Sequence, residues 1–259
     1  MSADTTTTTI ALPFPEAADR NLRIAVGACK LKVSPGAAQP WVAGTYVDHS
    51  NALPPLIQQE GGEARIMQNY QAFNPFGLFN STPQIDLRLG AAQPYSLGIE
   101  LGASDNTLDL GGLPLTRLSI KQGAGKVDAN FSAANPQPMG HLRVEAGATA
   151  LEMRHLANAN FSEMTVDGGA AGYKFDFSGA LQRDAHVRLT TGMSGVEVAI
   201  PATTAVKIRA EIVLGGLSIG DGFTKKDGAF WTEAAIKGQT PVLIVDANLS
   251  LGWLTLRIV

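Results

Sequence analysis

Short stretches of alternating apolar and polar residues recur along most of the chain, and a Gly-containing corner interrupts each of them. Two of these phrases are LSIKQGAGKVDANF at 118–131 and LRVEAGATALEM at 142–153. Alternation with a period of two is typical of a β-strand that buries one face, and Gly permits the sharp turns between strands. Because no segment shows a convincing helical period, the pattern predicts an all-β protein.

The phrases return at a nearly constant interval of 21 to 24 residues. One column holds the first apolar residue of each strand before the corner: Leu97, Leu118, Leu142, Met164, Val187 and Ile208. A second column holds the first apolar residue after it: Leu108, Val127, Leu151, Tyr173, Val196 and Leu217. One strand pair cannot bury its apolar face alone, whereas stacked copies share one interior.

The two columns together predict a single-stranded parallel β-solenoid, similar to a β-helix, with coils of 21–24 residues. An antiparallel β-sandwich is the alternative, since it also uses short strands and Gly-rich turns but requires no fixed period. The segment 21–33 reads as a divergent extra copy of the phrase. The predicted organisation is a disordered, Thr-rich lead-in at 1–20 and one domain at 21–259, with an irregular part at 34–84, regular coils at about 85–220 and a C-terminal cap at 221–259.

Charge and cysteine content narrow the function classes. The net charge is −3, which gives no electrostatic reason to expect nucleic acid as a partner. The single cysteine, Cys29, can form no internal disulfide, and it is read as a small buried hydrophobe rather than a reactive thiol. No apolar run reaches the roughly 18 residues of a membrane span, and the N-terminus lacks signal-peptide features. We therefore expect a cytoplasmic protein, with any membrane association made through a partner. The alternative is a membrane segment upstream of this sequence.

Several phrases resemble a known family. They are RIAVGACKLKV at 23–33, PQIDLRLG at 83–90, PYSLGIELGAS at 94–104 and GAGKVDANF at 123–131. Together they resemble the "toast-rack" domains at the C-terminus of bacterial LiaF-type proteins, which are linked to envelope stress and cell-wall-active antibiotics. The resemblance covers about residues 22–220. It implies a β-solenoid-like domain for stress sensing or protein interaction, and it brings no catalytic residues with it.

The potentially reactive residues of the sequence favour a non-enzymatic protein without a cofactor or metal. The four histidines, His49, His141, His155 and His186, show no metal-ligand spacing, although coil stacking could bring some of them together. Ser194 lies in GMSGVEV, which lacks the strand-to-helix context of a nucleophile elbow. The Gly-rich phrases match no phosphate-binding loop and are better explained as corners.

Two groups of residues remain as a candidate interaction surface. In a parallel stack the residues between the inward positions of the second strand would form an outward acidic column that Lys174 interrupts. Apolar aromatic side chains near the C-terminus, and in the segment 70–80, could plug the core or bind a partner. The candidates are Asp109, Asp128, Glu152, Glu197, Phe230 and Trp231.

Three functional hypotheses follow. The first is an interaction or scaffold domain of the envelope-stress type with a protein partner. The second is a carbohydrate-binding or polysaccharide-lyase-like solenoid, and the third is a self-assembling structural protein. A groove with carboxylates, a basic residue and exposed aromatics would favour the second, whereas a polar face with an apolar end patch would favour interaction or assembly.

Overall fold

A computed structural model describes residues 5–49, 54–69 and 82–259. Of these residues, 67% lie in strands and 3% in helices, so the all-β prediction is confirmed. Within the described ranges, no helix is long and apolar enough to cross a membrane. The aromatic-rich segment 70–80 lies outside the described residues.

The strands follow one another with short connections, and the long ones bend at a corner near their middle. The helical elements are one 3-10 turn at Leu156–Ala159 and α1 at Glu233–Ile236. The strands are β1 (Thr6–Leu12), β2 (Asn21–Val26), β3 (Lys30–Pro35), β4 (Val42–Asp48), β5 (Pro55–Glu60), β6 (Glu63–Gln68), β7 (Gln84–Leu89), β8 (Tyr95–Asp109), β9 (Leu115–Asn130), β10 (Met139–Arg154), β11 (Phe161–Gly168), β12 (Ala171–Asp176), β13 (Ala185–Ile200), β14 (Ala205–Ile219), β15 (Phe223–Lys226), β16 (Ala229–Thr232) and β17 (Val242–Ile258).

Two parallel ladders meet at the corner and enclose the core between them. The first ladder runs β6–β2–β8–β9–β10–β11–β13–β17–β14. The second ladder runs β7–β3–β8–β9–β10–β12–β13–β17–β14. Antiparallel strands extend one end of each ladder, β5 beside β6 and β4 with β1 beside β7.

The first apolar column predicted from the sequence is confirmed by the strand register. Its residues pair with one another across successive strands, and each is almost completely buried because it points between the two ladders. The paired series is Leu97, Leu118, Leu142, Met164, Val187, Val245 and Ile208. Val245 is the one member that the sequence pattern did not include.

The final strand, β17, does not cap the stack, so that part of the predicted organisation is wrong. It lies between β13 and β14, with Val187 and Ile208 on either side of Val245. After β14 the chain forms the β15–β16 hairpin and α1, and then returns to insert its last strand. The prediction failed because it assumed that the spatial order of copies follows their order in the sequence.

The second column is confirmed except at its first member. Val127 pairs with Asn106, whereas Leu108 pairs with Ala129, two positions further along β9. Asn106 is a polar residue at an inward position, and its carboxamide bonds to the Leu31 amide (3.2 Å) and to the Gln122 side chain (3.0 Å). An alignment that matches only apolar residues is therefore shifted by two positions in β8. The inward position there holds Asn106 and not an aliphatic side chain, and hydrogen bonds satisfy its buried carboxamide.

The N-terminal segment is more regular than predicted. Instead of a disordered lead-in, Thr6–Leu12 forms β1 and pairs with β4, and Ile10 is 1% exposed. Threonine is β-branched and suits a half-exposed strand, so the Thr run was wrongly read as disorder. The extra copy at 21–33 is confirmed, because Leu22 pairs with Leu97 and Val33 with Leu108.

The corner glycines bring successive strands into backbone contact. A Cβ on Gly102 would lie 2.6 Å from the carbonyl oxygen of Gly27, and one on Gly169 would lie 2.8 Å from that of Gly147. Real Cβ atoms essentially never come so close to backbone atoms, so these positions accept only hydrogen. The repeated Gly of the sequence therefore reflects stacking of one copy on the next.

We expect Gly102→Ala to destabilise the protein by about 1–3 kcal/mol, because the added methyl group meets a backbone carbonyl that cannot move without disturbing both ladders. Gly192→Ala is the matched control, since its Cβ would lie 3.5 Å from the Gly169 oxygen. Urea unfolding followed by circular dichroism gives both free energies. Equal stability losses in the two variants would contradict the role assigned to the corner.

Cys29 is buried in the core, as its interpretation as a small hydrophobe predicts. It is 0% exposed, and burial raises the pKa of its thiol to about 12. Because the thiolate is the reactive form, we expect an aromatic disulfide reagent at pH 8 to label it only as fast as the protein unfolds. Immediate stoichiometric labelling of the folded protein, compared with a urea-unfolded control, would contradict this placement.

Candidate interaction surface

The outward row of the second ladder differs from the predicted acidic column. The strand register places Thr107, not Asp109, beside Asp128. Asp109 instead accepts hydrogen bonds from the Ser132 hydroxyl (2.7 Å) and the Gly111 amide (3.1 Å). It therefore fixes a local turn. The row itself consists of Thr107, Asp128, Glu152, Lys174, Glu197, Thr255 and Ser218.

Most of the charge in this row is compensated by neighbours. Arg154 donates to Asp128 at 2.7 Å, and Arg257 pairs with Glu197. Lys174 stands in register with both Glu152 and Glu197, which offsets the repulsion between the two carboxylates. Among the described residues, no group of three or more His, Cys, Asp or Glu side chains could hold a metal ion.

The outward row of the first ladder is a network of opposite charges. Arg143 lies between Glu145 (2.6 Å) and Asp167 (3.4 Å), and Lys121 pairs with Glu145 at 3.2 Å. Hydrogen bonds from Arg143, and then from Lys121, hold the pKa of the Glu145 carboxyl below its usual value. Glu100, Lys121 and Glu145 alternate in sign across adjacent strands, and Arg143 offsets the like charges of Glu145 and Asp167. Such compensated charges are typical of a solvated face.

The two aromatic candidates have different environments. Phe230 is only 8% exposed and belongs to the core, where β16 pairs with β14. Trp231 donates its indole N–H to the Lys226 carbonyl (3.0 Å), and the Lys207 ammonium lies 4.7 Å from its ring centroid. Both side chains thus support the β15–β16 hairpin.

The four histidines do not converge. His141 and His186 stand in register on either side of Glu163, whereas His49 and His155 lie elsewhere, each beside its own polar neighbour. His49 lies 2.8 Å from Thr5, His155 lies 2.7 Å from Asn130, His141 lies 3.7 Å from Glu163 and His186 lies 2.6 Å from Asp246.

An open strand edge is the most distinctive surface of the described part of the chain. β14 pairs with β17 on one side, but β16 covers its other side only at Lys207 and Ile208. Between residues 209 and 219, no described strand pairs with that free side. Val213 is 79% exposed and Leu214 is 62% exposed in this stretch.

Neighbouring strands extend the apolar character of this edge around the corner. Met193, Leu251 and Leu214 stand in register and are 62%, 41% and 62% exposed. In earlier copies the same position, three residues before the inward residue of the second strand, is Ala: Ala103, Ala124 and Ala148. The change from Ala to Met and Leu is visible in the sequence, but alternation predicts only the inward positions and gives no exposure for the corner.

The first part of the chain matches a known family. The family described as the N-terminal domain of toast_rack, DUF2154, matches residues 1–140. No curated protein matches the chain.

Similar solved structures have low sequence identity. A candidate cell adhesion protein from Clostridium sporogenes is 18% identical, with 99% of this chain and 100% of that chain covered and a TM-score of 0.49. A candidate adhesin from Bacteroides fragilis is 11% identical, with 99% and 98% covered and a TM-score of 0.40. A candidate lipid binding protein from Parabacteroides distasonis is 12% identical, with 96% of each chain covered and a TM-score of 0.41. Scores at this level carry no argument about function.

The family match extends over more than half of the chain and includes the phrases in which the resemblance was first noted. The chain belongs to the toast-rack family.

Proposed function

We propose that this chain is a non-enzymatic protein-interaction domain of the envelope-stress type, built as a solenoid-like stack of strand pairs. Membership of the toast-rack family and the two parallel ladders in register support this proposal. The observation that carries it is the open edge of β14, defined here as the free side of residues 209–219.

The open edge has the properties of a strand-binding surface. Unpaired backbone N–H and C=O groups at a sheet edge are a template for another strand, and proteins usually protect such edges with charges, Pro or bulges. The only charged side chains in the open edge are Arg209 and Glu211, so the stretch 212–219 carries none. An added strand would satisfy the backbone and bury Val213 and Leu214 in one step.

A second copy of this chain is the occupant that the open edge fits best. Antiparallel pairing of β14 with its copy about Leu214 places residue 209 opposite residue 219, so the whole open edge is used. Such an isologous contact closes after two subunits. It would also cover Ile212 and Leu217, which point toward the core but remain only partly buried at the end of the stack.

The charged rows favour an interaction role over catalysis. A lyase-like site needs free carboxylates that can bind a cation or remove a proton. Asp128 and Glu197 are instead engaged by Arg154 and Arg257, which leaves Glu152 as the one carboxylate of this row without an ion pair among the described residues. This arrangement supports the proposal that the outward rows keep the stack soluble rather than carry out a reaction.

We expect the wild-type protein to elute as a dimer, with twice the 27.2 kDa mass of one chain, and Leu214→Lys to elute as a monomer. A Lys at the centre of the interface places two like charges together and removes an apolar contact, so the dimer dissociation constant should rise at least tenfold. Size-exclusion chromatography with light scattering across a dilution series measures this change.

Ile236→Lys is the matched control, because Ile236 is 47% exposed on α1 and lies outside the open edge. It should leave the dimer unchanged, and circular dichroism confirms that each variant is folded. A wild-type protein that stays monomeric at about 100 µM would overturn self-association, and an equal effect of both Lys variants would exclude the open edge as the contact.

A further inference from the structure

A shallow trough crosses the outer face of the second ladder. Its floor consists of Ala150, Gly172 and Gly195 on neighbouring strands, and Trp253 on β17 closes one end. Lys126 on β9 lies at the other end, in register with Ala150. The trough has a volume of about 470 Å³.

Neither the backbone conformation nor the space around Gly172 and Gly195 explains why these floor positions are glycine. A Cβ on Gly172 or Gly195 would meet no atom within 4 Å, and neither residue has a positive φ. This contrasts with Gly102 at the corner, where a Cβ would meet a backbone oxygen. Glycine in a strand interior costs about 0.5–1 kcal/mol relative to Ala, and one such use is to let a ligand approach the backbone closely.

Trp253 provides an exposed aromatic surface at the end of the trough. Its side chain is 63% exposed, although indole rings are usually buried for most of their area. The ring lies against Gly216, because a Cβ at that position would overlap ring carbons. The neighbour on the opposite side, Gly195, has no side chain, so the ring remains accessible from the trough.

Polar groups of both signs line one side of the trough. Glu152, Lys174 and Glu197 follow one another on adjacent strands. Glu152, Lys174 and the end residue Lys126 form no ion pair with another described residue, so their polar atoms are available to a ligand. With Arg257, which holds Glu197, three cationic and two anionic groups surround the trough. This small excess does not select a polyanion, which the two carboxylates would repel, and the mixture of donors and acceptors suits a neutral, hydroxyl-rich molecule.

We propose that the trough binds a linear neutral oligosaccharide. One apolar face of a pyranose ring would stack on Trp253, while its hydroxyl groups would bond to the charged side. The distance from Trp253 to Lys126 is four strand spacings, roughly 19 Å, which suits a short oligosaccharide rather than a single sugar. The trough binds this ligand without cleaving it. It lies on the outer face of the ladder beside the open edge, since the Trp253 ring covers Gly216 of β14.

Isothermal titration calorimetry with N-acetylchitotriose, cellotriose and trigalacturonate tests this assignment on the full chain. We expect at least one of the two neutral trimers to bind, with the acidic trimer at least tenfold weaker. Trp253→Ala should weaken binding at least tenfold. Gly195→Leu should do the same while leaving the indole in place, because its Cβ would meet no atom within 4 Å and the rest of its side chain would occupy the trough.

Trp231→Ala is the control, since this Trp supports the β15–β16 hairpin away from the trough. Absence of binding by both neutral trimers at millimolar concentration would overturn the proposal. So would wild-type affinity in either trough variant, or a preference for the acidic trimer. Light scattering on the same samples reports the dimer separately, so failure of the trough and failure of the open edge give different results.

Discussion

The close approach of glycine backbones at the corner is the constraint on which the rest of the structure depends. Each long strand bends there, and the Cα of Gly102 passes so near Gly27 that no side chain fits between them. The contact fixes both halves of a strand at once against the previous copy. Since a shift of one residue would turn every inward side chain outward, the corner also fixes the register of both ladders.

The two ends of this stack of strands are covered to different extents. At the β6 and β7 end, antiparallel strands cover the ladders: β5 on the first, and β4 with β1 on the second. At the β14 end, β16 pairs with only two residues of β14. The apolar corner of Met193, Leu251 and Leu214 lies at this uncovered end. Incomplete closure of a regular fold thus leaves apolar side chains exposed at one end.

Sequence patterns predicted the repeating part of the fold well because register and burial follow directly from alternation. The column from Leu97 to Ile208 was correct in every predicted member. The position of β17 could not be predicted, since its strand pattern says nothing about which copies it separates. Asn106 was missed because hydrogen bonding made a polar residue acceptable at an inward position.

The candidate sites were harder to predict than the fold. Asp128 and Glu197 belong to the outward row as expected, but their Arg partners are distant in the sequence and became visible only in the folded chain. Gly172 and Gly195 look like corner glycines in a sequence, and only the surrounding space distinguishes them. Trp253 lay within the predicted cap, where its exposure could not be anticipated.

Amide hydrogen exchange of β14 at several protein concentrations tests the central claim most directly, because it reports on the backbone of the open edge itself. The account predicts that amides of residues 209–219 that point away from β17 exchange slowly in concentrated protein and faster on dilution, while those of β9 do not change. Fast exchange of the β14 amides at every concentration would contradict it.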